Sequence, residues 1–296
     1  MFAAGEAPLR STALGGSIDV RWLGGGAAYG WPGVAARLGE QPLRAIRALA
    51  FPLRAAFSSR GFDRVVAHWI IPSAFPSAIF ATPDLEIWAH GADVRALSRA
   101  PRFARAVISV LLRRGAHFVF VARSLRDALV EVLGRELGRM LAQRSRVEPA
   151  PIDVPDRATL SDPRGDREPR VSGRFVVWVG RFLDAKRPLL AAELARHAGV
   201  QIVFIGDGPL ALPAGALALG KLSRDETLRF IAHASALVST SVEEGCPTVV
   251  REAQALGTPV IAFAAGDLAE RSRKDPKITI VEDERAFVAA LRALGR

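Results

Sequence analysis

The sequence predicts an α/β protein built as two parallel-sheet halves, and three observations carry that expectation. Short runs rich in β-branched and aromatic residues alternate with longer segments of helical periodicity along nearly the whole chain. The alternation is interrupted once, over "PIDVPDRATLSDPRGDREPRVS" at 151 to 172, where prolines and charges replace any apolar period. With 296 residues, half of them apolar, the chain is long enough for two cores rather than one.

In the first half the strand candidates are "IDVRWL" (18 to 23), "RVVAHWI" (64 to 70), "LEIWAHG" (85 to 91) and "HFVFVARS" (117 to 124). Between them lie the helical patterns "PLRAIRALAFPLRAAFSSR" (42 to 60), which Pro52 kinks or divides, and "RAVISVLLRRG" (105 to 115). "SLRDALVEVLGRELG" (124 to 138) follows as a helix with Ser124 as its cap. Residues 1 to 150 therefore make one domain, residues 151 to 172 an interdomain crossing or linker, and residues 173 to 296 a second domain. In that second domain "RFVVWVG", "QIVFIGDG", "ALALG", "ALVSTS", "PVIAF" and "ITIV" read as strands, with "KRPLLAAELARHAG", "SRDETLRFIAHA" and "TVVREAQALG" as helices among them. A βα rhythm of this kind gives parallel sheets.

Ligands of open parallel sheets bind beyond the carboxyl ends of strands. At "VEEGCPTVVREAQALGTPVIAF" (242 to 263) a strand runs into a loop carrying Glu244, and a helix begins near Pro247 or Thr248, where proline is favoured because its missing N–H would be unsatisfied anyway. The open amides near Thr248 and Val249 suit an anion. Glu244 and Glu252 are acceptors for hydroxyl pairs on either side of it. The competing account treats Glu244 as an acid favouring the helix dipole and Glu252 as an exposed mid-helix charge.

The segment resembles the donor-binding signature of GT-B glycosyltransferases of the retaining family 4, or "group 1", type: a Glu, seven residues and a second Glu, with Gly after the first and Ala after the second, here Glu244, Gly245, Glu252 and Ala253. The resemblance implies two Rossmann-like parallel-sheet domains facing a cleft. It assigns Glu244 to the donor sugar, Glu252 to the nucleotide ribose, and the Thr248 and Val249 amides to the diphosphate. "VVWVGRFLDAKRPLLAA" is similar to the family stretch in which an Arg after a strand-ending Gly and a following Lys bind the diphosphate, implicating Gly180, Arg181 and Lys186. "VFIGDGPL" places Gly206, Asp207 and Gly208 on the nucleotide side, and "EIWAHGADVRAL" places His90 and Asp93 near the reacting sugar and acceptor, with His68 of "AHWIIPSAF" in the cleft. The catalytic set implied is His90, Asp93, Arg181, Lys186 and Glu244. Relatives begin one βα unit earlier and continue with further helices, so the resemblance also implies a truncated N-terminal domain.

The implied activity is transfer of a hexosyl-type sugar from a nucleoside diphosphate sugar to a hydroxyl acceptor with retention, in cell-envelope glycan or glycolipid synthesis. The competing reading is a noncatalytic nucleotide-sugar-binding or scaffold protein of the same fold. No Asp-x-Asp motif is present, "EDE" at 282 to 284 reads as surface, and no metal or other cofactor is expected beyond the donor. One cysteine, Cys246, excludes an intramolecular disulfide and a multi-cysteine zinc site, in keeping with a reducing compartment. The chain start lacks a secretory pattern and the apolar runs are too short for a membrane span, so the expected location is cytoplasmic.

Charge is concentrated in the first half: residues 1 to 150 hold 20 arginines and no lysine against 11 acidic residues, whereas the second half is nearly balanced. Arginines interspersed with Leu and Phe over 42 to 60 suit peripheral contact with an anionic membrane face and a lipid-linked sugar acceptor. An ordinary basic domain with inward-facing apolar residues is the other account. Nucleic acid is not expected, since no basic motif interleaved with aromatics appears.

Overall fold

The computed structural model describes residues 2–3, 9–13, 16–22, 50–75, 78–80, 84–165 and 171–294, so the first part of the predicted 42 to 60 helix lies outside the described residues. The chain divides into two compact units, Met1–Glu148 and Pro149–Arg296.

The first unit holds two sheets. Strands β1 (Phe2–Ala3), β2 (Leu9–Ala13) and β3 (Gly16–Trp22) form one, in which β1 runs parallel to β3 and β2 antiparallel to it. The sequence reading expected parallel pairing throughout and did not identify β2. The second sheet is fully parallel, with β4 (Arg64–His68), β5 (Asp84–Ala89), β6 (His117–Phe120) and β7 (Ser145–Val147) side by side in chain order.

Helix α1 (Ala50–Ser58) precedes β4, α2 (Ala92–Ser98) and α3 (Pro101–Arg113) follow β5, and α4 (Arg123–Leu133) and α5 (Arg135–Gln143) follow β6. Proline opens α3 and its buried residues Ala104, Val107, Ile108, Leu111 and Leu112 keep the spacing of one helical face. The predicted single helix over 124 to 138 is two helices. Gly134 breaks it, adopting φ 81, a conformation a side chain would resist. Ser124 is not the cap, because α4 has already begun at Arg123 with Ala122 before it.

The second unit is a six-stranded parallel sheet. In chain order its strands are β8 (Val176–Val179), β9 (Ile202–Ile205), β10 (Leu217–Ala218), β11 (Ala236–Ser239), β12 (Val260–Phe263) and β13 (Ile278–Val281), and in space they lie β10-β9-β8-β11-β12-β13. The order reverses between β8 and β11, and it is at such a reversal that loops diverge and leave a crevice at the carboxyl ends.

Alternation along β8 divides the core. Val176 and Trp178 face one layer with Phe204, Leu194, Phe287 and Leu291, which brings in helices α6 (Pro188–Ala198) and α10 (Glu284–Ala293). Phe175 and Val177 face the other with Val203, Leu228, Ile231 and Val250, which brings in α7 (Arg224–His233) and α8 (Thr248–Ala255). A reciprocal capping box between Ser223 and Glu226 fixes the start of α7.

Residues 151 to 165 lie on this second unit. Val154 and Leu160 pack against its core, Arg157 donates to the Leu256 carbonyl at 3.1 Å, and Arg229 donates to the Ser161 carbonyl at 3.0 Å. The arginines of α7 and the apolar side chains of the segment together explain why a stretch without periodicity is held in place.

Candidate functional site

In the second unit the loops leaving β8 and β11 are laced together by a buried hydroxyl. Thr240, with no exposed surface, accepts from the Trp178 indole N–H at 3.1 Å and donates toward the carbonyls of Lys186 and Arg187 at 2.9 and 2.8 Å. Arg187 Nε returns a bond to the Thr240 carbonyl at 3.0 Å, and the Val242 amide donates to the Ala185 carbonyl at 3.1 Å. This lacing puts Lys186 Nζ in an ion pair with Glu244 Oε1, both side chains being largely buried. An ammonium and a carboxylate brought in from strands adjacent at the reversal therefore sit together at the crevice.

Pro247 precedes α8 and no side chain caps the helix, which leaves the amides of Thr248 and Val249 in the first turn, where intrahelical acceptors do not exist. The Gly245 carbonyl receives the Asp267 amide at 3.1 Å, and a Cβ at Gly266 would strike the same carbonyl, so close backbone contact pins the loop ahead of the helix. Glu252 lies about one turn past Thr248 and is buried rather than exposed. Its Oε1 accepts from Arg224 Nε at 3.4 Å and from a terminal nitrogen at 3.3 Å, while the same Arg224 donates to the Asp153 carbonyl. A buried carboxylate with an arginine beside it is a fixed acceptor, unlike a solvated mid-helix charge.

Gly180 bonds to the Ile205 carbonyl through its amide at 3.0 Å, and the amide of Phe182, after Arg181, donates to the Asp207 carbonyl at 2.8 Å. The glycines of "GDG" serve this approach. A Cβ on Gly206 would collide with the Gly180 carbonyl, and one on Gly208 would lie 2.6 Å from the Phe182 carbonyl oxygen. Cys246 accepts from Arg271 at 3.3 Å, and burial pushes its thiol pKa up, so the thiolate a nucleophile needs is disfavoured. An open pocket beyond β11, β12 and β13 is lined by Arg187, Ser241, Val242, Phe263, Glu282 and Arg285, so it adjoins the laced loops, although Glu252 and Arg181 are not part of its lining.

The residues singled out in the first unit gather at the carboxyl ends of β4 and β5. His68 ends β4 and His90 follows β5; His68 Nδ1 and His90 Nε2 are 2.9 Å apart and the rings meet edge to edge, with centroids 5.1 Å apart. Burial lowers both imidazole pKa values, the nearby Glu86 acting in the other direction on His68 and Asp93 on His90. Asp93 itself is 3% exposed, and its two oxygens accept from the backbone amides of Ile70 at 2.8 Å and Gly91 at 3.0 Å. The geometry gives it a positioning role, binding two loops together. Between His68 and Ile70 the chain passes through Trp69 at φ 75 and ψ 132, a strained conformation for a bulky residue.

Trp69, Thr240, Arg187 and Arg224 were not singled out in the sequence. Only Trp69 carries a signal there, as an aromatic directly after a strand-ending histidine; the other three act through partners 28 to 71 residues away. Among the described residues, no group of three or more His, Cys, Asp or Glu side chains could hold a metal ion, and no helix is long and apolar enough to cross a membrane.

The family profile described as "Glycosyl transferases group 1" matches residues 172–296. Over 235 residues the chain is 26% identical to the putative teichuronic acid biosynthesis glycosyltransferase TuaC of Bacillus subtilis, with 74% of this chain covered but only 57% of that protein. The chain thus spans little more than half the length of this curated relative. Among solved structures it is similar to Anabaena HepE in complex with UDP-glucose, at TM-score 0.65 and 16% identity over 93% of this chain and 76% of that one. It is also similar to sucrose-phosphate synthase of Thermosynechococcus elongatus, at TM-score 0.62 and 17% identity over 100% of this chain and 82% of the other. At such identities the likeness is one of fold.

Proposed function

We propose that this chain, which has the GT-B fold and is related to the group 1 glycosyl transferases, transfers a hexosyl-type sugar from a nucleoside diphosphate sugar to a hydroxyl acceptor with retention. The observation that carries the reading is the crevice at the strand reversal of the second unit. There Glu244, paired with Lys186 from the loop after β8, the open amides at Thr248 and Val249 and the buried Glu252 follow one another along a single loop and helix.

In this reading Glu252 accepts from the ribose hydroxyls, with Arg224 holding it in place. Glu244 accepts from hydroxyls of the donor sugar. Transfer breaks the bond between the anomeric carbon and the diphosphate oxygen, whose electron pair leaves with the diphosphate, while the acceptor oxygen bonds to that carbon and passes its proton to the departing diphosphate oxygen. The negative charge growing on the leaving group is met by Arg181, Lys186 and the helix amides, fixed before the reaction begins. In the first unit His90 is the group assigned to the reacting sugar, and Asp93 sets the loop that carries it. The reaction needs no metal in this scheme, because cationic side chains and amides do the charge stabilisation. Envelope glycan or glycolipid acceptors, reached from the cytoplasmic face of an anionic membrane, complete the proposal.

Calorimetry with UDP, GDP and ADP, in chelator throughout, tests the donor site. Glu252→Ala, Arg181→Ala and Lys186→Ala should each weaken diphosphate nucleotide binding by roughly one to two decades, the equivalent of a lost hydrogen bond to a charged group. Unchanged affinity in all three folded variants would remove the donor from this crevice. Nucleotide-sugar binding with neither transfer nor donor hydrolysis would identify a noncatalytic binding protein instead.

A further inference from the structure

We propose that His68 is the positioning residue for His90, its Nδ1 occupying His90 Nε2 so that Nδ1 is the ring nitrogen His90 has left to offer a ligand. The inference rests on the reading of His90 as a group at the reacting sugar. It begins from the 2.9 Å separation of those two nitrogens and from the edge-to-edge meeting of the rings, with planes 29° apart, which aims each nitrogen at the other.

The pairing is built by the backbone. Strands β4 and β5 run parallel with His68 opposite Trp88, so His90, two residues on, follows its strand where β4 gives out. The Trp69 amide then donates to the Trp88 carbonyl at 2.7 Å, and Asp93 takes the amides of Ile70 and Gly91, one from each departing loop. The two histidines project from segments that a single buried carboxylate clamps together. Trp69 closes the far side of His90, edge to face at 6.4 Å, and its positive φ is the local cost of that placement. The charged groups facing the pair are Glu86 beside His68 and Asp93 beside His90, with the Arg95 guanidinium against Gly91.

A bond between two imidazole nitrogens needs one N–H and one lone pair, so it cannot survive with both rings cationic, and it couples their tautomers. When His68 donates, neutral His90 carries its proton on Nδ1 and donates to a ligand. When His90 donates, its Nδ1 accepts. Either way His68 determines what His90 presents, while lying one residue layer away from it.

Two substitutions separate the bond from the packing. His68→Phe keeps an aromatic ring beside His90 and removes the nitrogen; His68→Asn keeps a polar atom near the Nδ1 position and removes the ring. Nitrogen-15 NMR of the imidazoles in the whole folded protein, without any substrate, should show His90 in one tautomer in the natural protein and in His68→Asn, and a mixture in His68→Phe. With a nucleotide-sugar donor, kcat should fall at least about tenfold in His68→Phe with KM little changed, His68→Asn should recover most of it, and the acid limb of the pH profile should move. An unchanged His90 tautomer together with unchanged kcat in His68→Phe overturns the proposal. If the natural protein transfers no sugar, the fault lies with the functional reading, and the NMR result alone decides whether His68 sets His90.

Discussion

Asp93 shows how far a residue can be read before its surroundings are known. The sequence marks it as an acid three positions after a histidine, in a stretch that resembles an acceptor-side motif, and so places it near the reacting groups. What the sequence cannot give is direction. That depends on the amide of Ile70, 23 residues earlier, which becomes a neighbour only when β4 and β5 pair. Buried and accepting two backbone amides, Asp93 holds the two loops together. Replacing it with alanine removes both bonds and leaves two amides without their acceptor, a loss of about 1.5 to 3 kcal/mol for each charge-assisted bond before relaxation. Urea denaturation should show the Asp93→Ala protein destabilised by more than that single-bond figure, and Asp93→Asn, which retains one acceptor oxygen, by less than Asp93→Ala. Equal stability of all three would mean that the loops are held by something else. Glu252 corrects in the opposite sense: its spacing from Glu244 was legible, whereas its burial and its arginine partner were not, since Arg224 reaches it from a different helix.

Elements were legible where period and punctuation agree. The face of α3 and the alternation of β8 are written in consecutive residues, and so is the Ser223 and Glu226 box that opens α7. Strands β2 (LRSTA) and β7 (SRV) lack the apolar run that marks equally short strands such as β4 and β8, and Gly134 breaks a helix whose apolar pattern continues across it. The "GDG" turn was seen, but its purpose is contact between backbones. Gly206 and Gly215 both have positive φ, at 134° and 81°, yet an added Cβ would collide with the Gly180 carbonyl at the first and meet nothing within 4 Å at the second. Gly215→Ala should therefore cost about 1 to 2 kcal/mol, the ordinary penalty for a side chain in left-handed backbone. Gly206→Ala should cost at least about 4 kcal/mol, in the range reserved for a forced backbone shift. Denaturation of the two variants side by side makes the comparison, and equal losses would show that the approach of the 180 to 182 loop to the 206 to 208 turn is easily relaxed.

At the scale of the whole chain, two βα series separated by a Pro-rich crossing were enough to indicate the architecture, although Anabaena HepE, a solved structure of similar fold, is only 16% identical to it. The uneven charge has two accounts, an ordinary basic surface or an anionic partner met by the first unit. On α1, Leu53 and Phe57 are 50% and 56% exposed and lie one turn apart, with Arg54 beside Leu53 and the Arg60 guanidinium 4.7 Å above the Phe57 ring. Arg44 and Arg47, also part of the predicted basic helix, lie outside the described residues. Apolar side chains outward among arginines are the pattern expected where a helix meets an anionic headgroup layer with its Leu and Phe entering the shallow interface. Each arginine near such a surface contributes about 1 kcal/mol, and that contribution fades within a Debye length of about 8 Å at physiological ionic strength. The protein should therefore co-sediment with vesicles containing anionic phospholipid, sediment much less with purely zwitterionic vesicles, and be released by raising the salt. Leu53→Ser with Phe57→Ser should reduce the anionic-vesicle fraction without altering nucleotide affinity, since both residues belong to the first unit and the proposed nucleotide crevice to the second. Equal recovery on anionic and zwitterionic vesicles would leave the arginine excess to solubility alone and point to an acceptor delivered from solution.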